Sequence, residues 1–287
     1  MQPLDYPALY RSADELSLLS QHRFFRVLSL HLLLLIAAAV LSVINSPIWE
    51  AAVTQVLIFL GALGCSVYLS AMRPDRYWYA SRAVAESIKT LTWRFITRAE
   101  PFDTDEDIAA SHFRQTLKAV IEQNRDVVRQ LSTHLDGFQI TDAMSAMRAA
   151  PMAERLRVYV TMRVTEQLIW YAKKSASNRK TSNLFFGMLI TVNAIAVALA
   201  IARVKFPVAP FWPTPILIAL AASLLSWMQA KRFSELASSY ALAAHEISLI
   251  REQANSISSD SKLSKFVGDA ENAFSREHTQ WVARKDV

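Results

Sequence analysis

At 287 residues, with 52% hydrophobic side chains and a mean hydropathy of +0.18, the chain carries more apolar material than a soluble domain of its length requires. Its one cysteine, Cys65, excludes an intrachain disulfide and a cysteine-based metal site. The formal net charge of +6 flanks the apolar blocks and forms no separate basic face, which points away from nucleic acid and toward a membrane surface.

The first apolar block spans 27–44, starts too late and lacks the small-residue cleavage site of a signal peptide, and so reads as a retained span. Three more follow at 51–72, 184–202 and roughly 211–230, and none of the four contains Asp, Glu, Lys or Arg. At about 1.5 Å of rise per residue, blocks of this length cross a hydrocarbon core of about 30 Å as helix. Alternation of period two is absent, so helices and not barrel strands satisfy the backbone polar groups in lipid. The links inside each pair are short, Asn45, Ser46, Pro47, Ile48, Trp49 and Glu50 in the first and 203–210 in the second, which makes each pair a hairpin. Trp49, Phe206, Phe211 and Trp212 fall where an interfacial aromatic belt would lie.

After the second block, Arg73 and Arg76 beside Tyr77, Trp78 and Tyr79 suit either membrane-interface anchoring or contact with a nucleotide or lipid phosphate. An amphipathic helix carrying Glu86 follows. Thr104, Asp105, Glu106 and Asp107 then have the form of a helix start, with Thr104 as the cap. Phe113, Leu117, Val120, Ile121, Val127, Val128 and Leu131 continue at helical spacing, opposite Gln115, Lys118, Glu122, Arg125 and Arg129, and Gly137 is the expected stop. From Pro151 the chain runs without a breaker through Val158, Tyr159 and Val160 and through Trp170 and Tyr171 into the third block, as one long helix entering the membrane. Lys and Arg are more frequent on the side of the termini in both hairpins, so N- and C-termini are expected on the cytoplasmic side.

The layout repeats at a spacing near 160: spans two and four align at 51–72 against 211–232, and Glu86 falls opposite Glu246. The expected fold is therefore an all-α membrane protein, with four transmembrane helices as two hairpins extended by long cytosolic helices. Its expected parts are a first two-span module at 1–98, a cytosolic helical connector at 99–150, and a second two-span module with C-terminal helices at 151–287.

Tyr159, Arg163, Val164, Gln167 and Tyr171 with Lys174 and Asn178, followed by a hairpin and a tail holding Val267, Glu271, Glu277, His278 and Trp281, resemble the SLATT superfamily. These are two-transmembrane effector modules of bacterial nucleotide-second-messenger conflict systems. The match lies mostly in roughly 155–284; the first half looks like a diverged copy, and the whole resembles four-span members. The resemblance implies an oligomeric inner-membrane effector that forms pores or otherwise breaches the membrane on an antiviral signal. It also implies a trigger from outside these residues, a nucleotide second messenger or a separate sensor protein.

Glu271, His278 and Trp281 share a helical face that, with Glu277, could meet the helix of Glu86 or of Glu246; packing with salt bridges and a gating role for His278 both fit. His31, one turn into the first span, faces either a protein interior or the cytoplasmic interface as neutral imidazole. Asn193, midway along the third span, suits an interhelical hydrogen bond or a pore lining. With five glycines the chain holds no P-loop or dinucleotide fingerprint, and GxSxG, HExxH and Cys-His metal spacings are missing, so no enzyme, cofactor or metal is expected. A membrane-permeabilising effector, a small channel or transporter, and a membrane scaffold recruiting a cytosolic partner stand as the three functional readings.

Overall fold

A computed structural model gives the structure of the chain; it describes residues 5–44, 47–206 and 211–283, the last eight of these as backbone only. The chain is 86% helical, with no strand among the described residues. In order the helices are α1 (Ala8–Ile44), α2 (Trp49–Met72), α3 (Pro74–Thr97), α4 (Glu106–Gln123), α5 (Arg125–Val128), α6 (Asp142–Ala149), α7 (Met152–Tyr159), a π-helical segment (Val160–Thr165), α8 (Glu166–Lys205), α9 (Thr214–Lys231), α10 (Phe233–Gln253) and α11 (Asp260–Ala283). Four of the continuous runs are long and apolar enough to cross a membrane, so the protein is a multi-pass membrane protein of the expected all-α class. Asn45, Ser46 and 207–210 of the two turns lie outside the described residues.

The chain folds as two compact units. One, the helical unit, takes Met1–Gln21, Asp75–Ala172 and Ala241–Val287; the other, the span unit, takes His22–Pro74 and Lys173–Tyr240.

In the span unit, small residues allow close packing: Ala38, Ala62 and Cys65 are buried, and Gly61 approaches Leu34. At the ends of the spans, Phe25 meets Trp227 edge to face at 5.6 Å, and the Lys231 ammonium lies 3.5 Å from the Phe25 ring centre. The last helical span starts at Thr214 and not at Phe211, because Pro213 caps it and prolines are tolerated only in a first turn. Spans two and four stop alike. Arg73 and Arg232, 159 residues apart, both adopt the left-handed conformation (φ 42° and 52°), and a new helix restarts at once. That shared break supports the duplicated layout, but its spacing sets Glu86 against His245 and not against Glu246.

The helical unit has an aromatic core of Trp93, Phe95, Phe102, Phe113 and Tyr159, with Ile88, Ile96, Met144 and Leu263 closing it. The stretch at 104–137 differs from the expected single helix. Asp105, not Thr104, is the cap residue, and α4 ends at Gln123, where Asn124 leaves the helical conformation (φ −121°, ψ 35°) while its backbone N–H and its side chain both donate to the carbonyl of Val120. Phe113, Leu117, Val127 and Leu131 are buried as expected, whereas Ile121 is exposed.

Gly137 is not a helix stop. It lies in a loop that caps α1, where Ala8 N–H donates to Phe138 O at 3.1 Å and Leu9 N–H to Gln139 Oε1 at 3.2 Å, filling the first-turn donors that a helix leaves open. A β-carbon at Gly137 would stand 2.8 Å from the Ala8 β-carbon. Gly137→Ala is therefore expected to destabilise the unit by about 1–3 kcal/mol, the range for overpacking a tight contact. Thermal unfolding in detergent checks this; an unchanged midpoint would refute the close approach.

Candidate functional site

On α11 the residues Leu263, Phe266, Val267, Ala270 and Phe274 are buried at helical spacing, and Glu271 lies in the middle of that stripe with no exposed surface. A carboxylate there has no water to solvate it and must be paired. Arg163 supplies the partner as a fork, Nε to Oε1 at 2.9 Å and Nη2 to Oε2 at 2.7 Å. Tyr159 O–H donates to Oε1 at 3.0 Å and Thr90 O–H to Oε2 at 2.8 Å. Each carboxylate oxygen thus accepts two hydrogen bonds, from α3, α7 and the π-helical segment together. The Arg163 guanidinium also lies 4.8 Å from the Phe274 ring centre, and its Nη1 is buried with no hydrogen-bond partner among the described residues.

The π-helical segment places these groups. Its wider turn brings Arg163 and Val164 into the core, both buried, four and five residues after the buried Tyr159. Burial opposes the charge of Arg163, yet attraction to Glu271 and the hydrogen bonds to it raise its pKa above the ordinary value, so it is a fixed cation. Burial, with Glu271 behind it, pushes the Tyr159 phenol well up and keeps it a donor.

Around this centre Trp93 Nε1 donates to the Tyr6 hydroxyl at 3.1 Å, and burial pushes the Tyr6 phenol up to about 12. Arg82 joins Glu86 at 2.6 Å and Asp14 at 3.2 Å, while burial lowers the pKa of Lys89. The arrangement thus occupies both oxygens of Glu271. It acts as a clasp holding α11 to α3 and α7. Among the described residues no group of His, Cys, Asp and Glu could hold a metal ion.

Two further buried arginines close the end of α3, whose last carbonyls a helix leaves without partners. Arg148 donates to Phe95 O at 2.7 Å, Thr104 O at 2.9 Å and Glu106 Oε2 at 2.8 Å. Arg155 donates to Thr97 O at 2.5 Å and Ala150 O at 3.0 Å and pairs with Asp260 at the start of α11. Arg94 adds Asn272 at 2.7 Å and the carbonyl of Gly268 at 3.3 Å, so α11 is held along most of its length.

The residues singled out from the sequence divide sharply. Glu271 meets α3, the helix of Glu86, through Thr90, and Glu86 itself is buried beside Arg82. Glu246 is exposed on α10 and takes no part in the clasp. Glu277, His278 and Trp281 continue the α11 backbone, and their side chains lie outside the described residues. Arg73 and Arg76 are exposed at the start of α3.

In the span unit, His31 Nδ1 lies 3.1 Å from the carbonyl of Ala62 on α2 and donates to it, since a carbonyl only accepts. Asn193 is exposed, and instead of reaching another helix it donates to Leu189 O on its own helix at 2.8 Å. Arg148 and Arg155 carry weight that the sequence reading missed. Their signal was a run of arginines at 148, 155 and 163, two turns apart on stretches whose other inward positions are apolar.

Residues 7–156 match the family model described as SMODS and SLOG-associating 2TM effector domain 3, SLATT_3. Residues 159–281 match SMODS and SLOG-associating 2TM effector domain 1, SLATT_1. Thr90 thus falls in the first match, and Tyr159, Arg163 and Glu271 in the second. The 99–150 connector falls inside the first. No curated protein and no solved structure matches the chain.

Proposed function

The chain belongs to the SLATT family as a tandem two-module protein, and from that membership we propose a non-enzymatic effector of the bacterial inner membrane. Both termini lie in the cytoplasm. Copies assemble and permeabilise the bilayer when an antiviral signal, a nucleotide second messenger or a separate sensor protein, engages the helical unit.

The observation that carries this reading is the pair of effector modules joined to four apolar runs. In the most apolar windows of these runs only 11%, 11%, 0% and 17% of residues are buried within the chain. Few residues of the spans are sealed within the chain, and most positions of α2 and of the third span are exposed and available to lipid or to one another. The clasp supplies a place for the signal to act, because α11 is held to α3 and α7 by discrete polar bonds. A ligand that prefers α11 released shifts the equilibrium by its differential affinity alone.

The test is leakage of dye and ions from liposomes holding the purified protein, with and without a panel of cyclic and linear nucleotides, beside depolarisation of cells on induced expression. Ligand-dependent leakage is expected. Tight vesicles and polarised, growing cells under every condition would sink the permeabilising reading. A membrane scaffold is then favoured by the connector loop, where Leu135 and Phe138 are 75% and 80% exposed and could seat a partner.

A further inference from the structure

We propose that the third span binds the third span of a second copy of this chain, side by side, with Asn193 paired to its own counterpart at the centre of the contact. This rests on the oligomeric part of the function proposed above and names the surface that would build it.

Along α8, Phe186, Ile190, Asn193, Val197, Ala200 and Val204 recur at intervals of four, three, four, three and four residues. All six are exposed, whereas the half-buried positions Leu189, Val192 and Ala196 form a neighbouring stripe used within the span unit. An alternating four-and-three spacing is the seam of a left-handed helix pair, the commonest packing of membrane helices. The positions seven apart, Ile190, Val197 and Val204, are all β-branched, the shape that favours a two-stranded pair.

The seam identifies its occupant through its one polar member. Asn193 lies at the middle of the 184–202 block, and one amide N–H is used on Leu189 O. The other N–H and the carbonyl oxygen Oδ1 have no partner among the described residues. An acyl chain offers neither donor nor acceptor, and an unmet amide in hydrocarbon is costly. A carboxamide is both donor and acceptor, so two copies related by a twofold axis satisfy each other, N–H to Oδ1 in both directions. The same pairing fixes the register, because a slip of one turn sets each amide against an isoleucine or a valine.

The full-length protein with Cys65→Ala as background is reconstituted in liposomes carrying single cysteines on α8. Ile190→Cys and Val197→Cys copies are expected to crosslink to one another, and Leu184→Cys and Ile195→Cys, exposed on the opposite face, are not. Energy transfer between labelled copies is expected to report an association constant lowered about threefold to thirtyfold by Asn193→Leu, with partial recovery in Asn193→Gln. Crosslinking that is absent or even around the helix, association unchanged in Asn193→Leu, or crosslinks only to another membrane protein would overturn the proposal. Because none of these readouts is leakage, seam crosslinks in vesicles that stay tight would leave the contact standing and refute the permeabilising function. Leakage without seam crosslinks would do the reverse.

Discussion

Replacing Glu271 with alanine is expected to destabilise the helical unit by about 3–5 kcal/mol, the cost of leaving a buried charge without its partner. The Arg163 guanidinium is 1% exposed and would keep its charge with two of its donors unmet, while Tyr159 and Thr90 each lose an acceptor. Glu271→Gln keeps the shape and removes the charge, and should recover only a small part of the loss. The double change Arg163→Met with Glu271→Leu removes both charges at once and should be markedly less destabilised than Glu271→Ala alone, since buried pairs contribute little net stability over apolar residues of similar volume. Urea unfolding in detergent measures all four proteins, and protease cleavage within α11 reports where the unit opens. A loss under about 1 kcal/mol in Glu271→Ala would mean that the carboxylate is not the fastener of α11.

Arg148→Ala should cost a similar amount, about 3–5 kcal/mol, by a different route. Here the charge disappears with the mutation, but the buried carbonyl of Phe95 is left without its donor and the carbonyl of Thr104 loses its bond as well. The end of α3 also loses the cation that offsets its dipole. Lysine is not expected to restore it: three donors on one nitrogen cannot reach Phe95 O, Thr104 O and Glu106 together as the planar fork does. The unfolding series Arg148→Ala, Arg148→Lys and Arg148→Met decides the point. Full recovery with lysine would show that charge alone, and not geometry, closes the helix.

The four spans were legible because lipid enforces a rule that sequence displays directly, a long apolar block without charge. The continuous helix from Pro151 into the third span was legible for the same kind of reason, as a long run without a breaker, although the π-helical segment inside it has no local signature. The candidate site was half visible. Glu271 is singled out by sharing a helical face with His278 and Trp281, but the identity of its partners depends on which of several amphipathic helices packs where, and that is settled by tertiary contact. Glu246 looked equivalent to Glu86 by letter alone. The twin breaks at Arg73 and Arg232 set His245 against Glu86, and His245 is exposed as Glu246 is, so the burial of Glu86 has no counterpart in the second copy. Arg148 and Arg155 stand with Arg163 about two turns apart, but which distant helix end they cap is set by tertiary contact and cannot be read from that spacing. At Asn124 the backbone leaves the helical conformation although the apolar stripe continues by periodicity.

The clasp takes Thr90 from one matched module and Arg163 with Glu271 from the other. Had the modules been separate polypeptides, joining them would depend on concentration, and a surplus of either would leave half a clasp unfilled. Fusion makes the local concentration constant and the stoichiometry one to one from the moment of synthesis. However many chains meet in the bilayer, the number of modules is even, and two kinds of module must alternate or segregate within it. A surplus half cannot arise from unequal expression, only from cleavage between 156 and 159 or from a truncated chain.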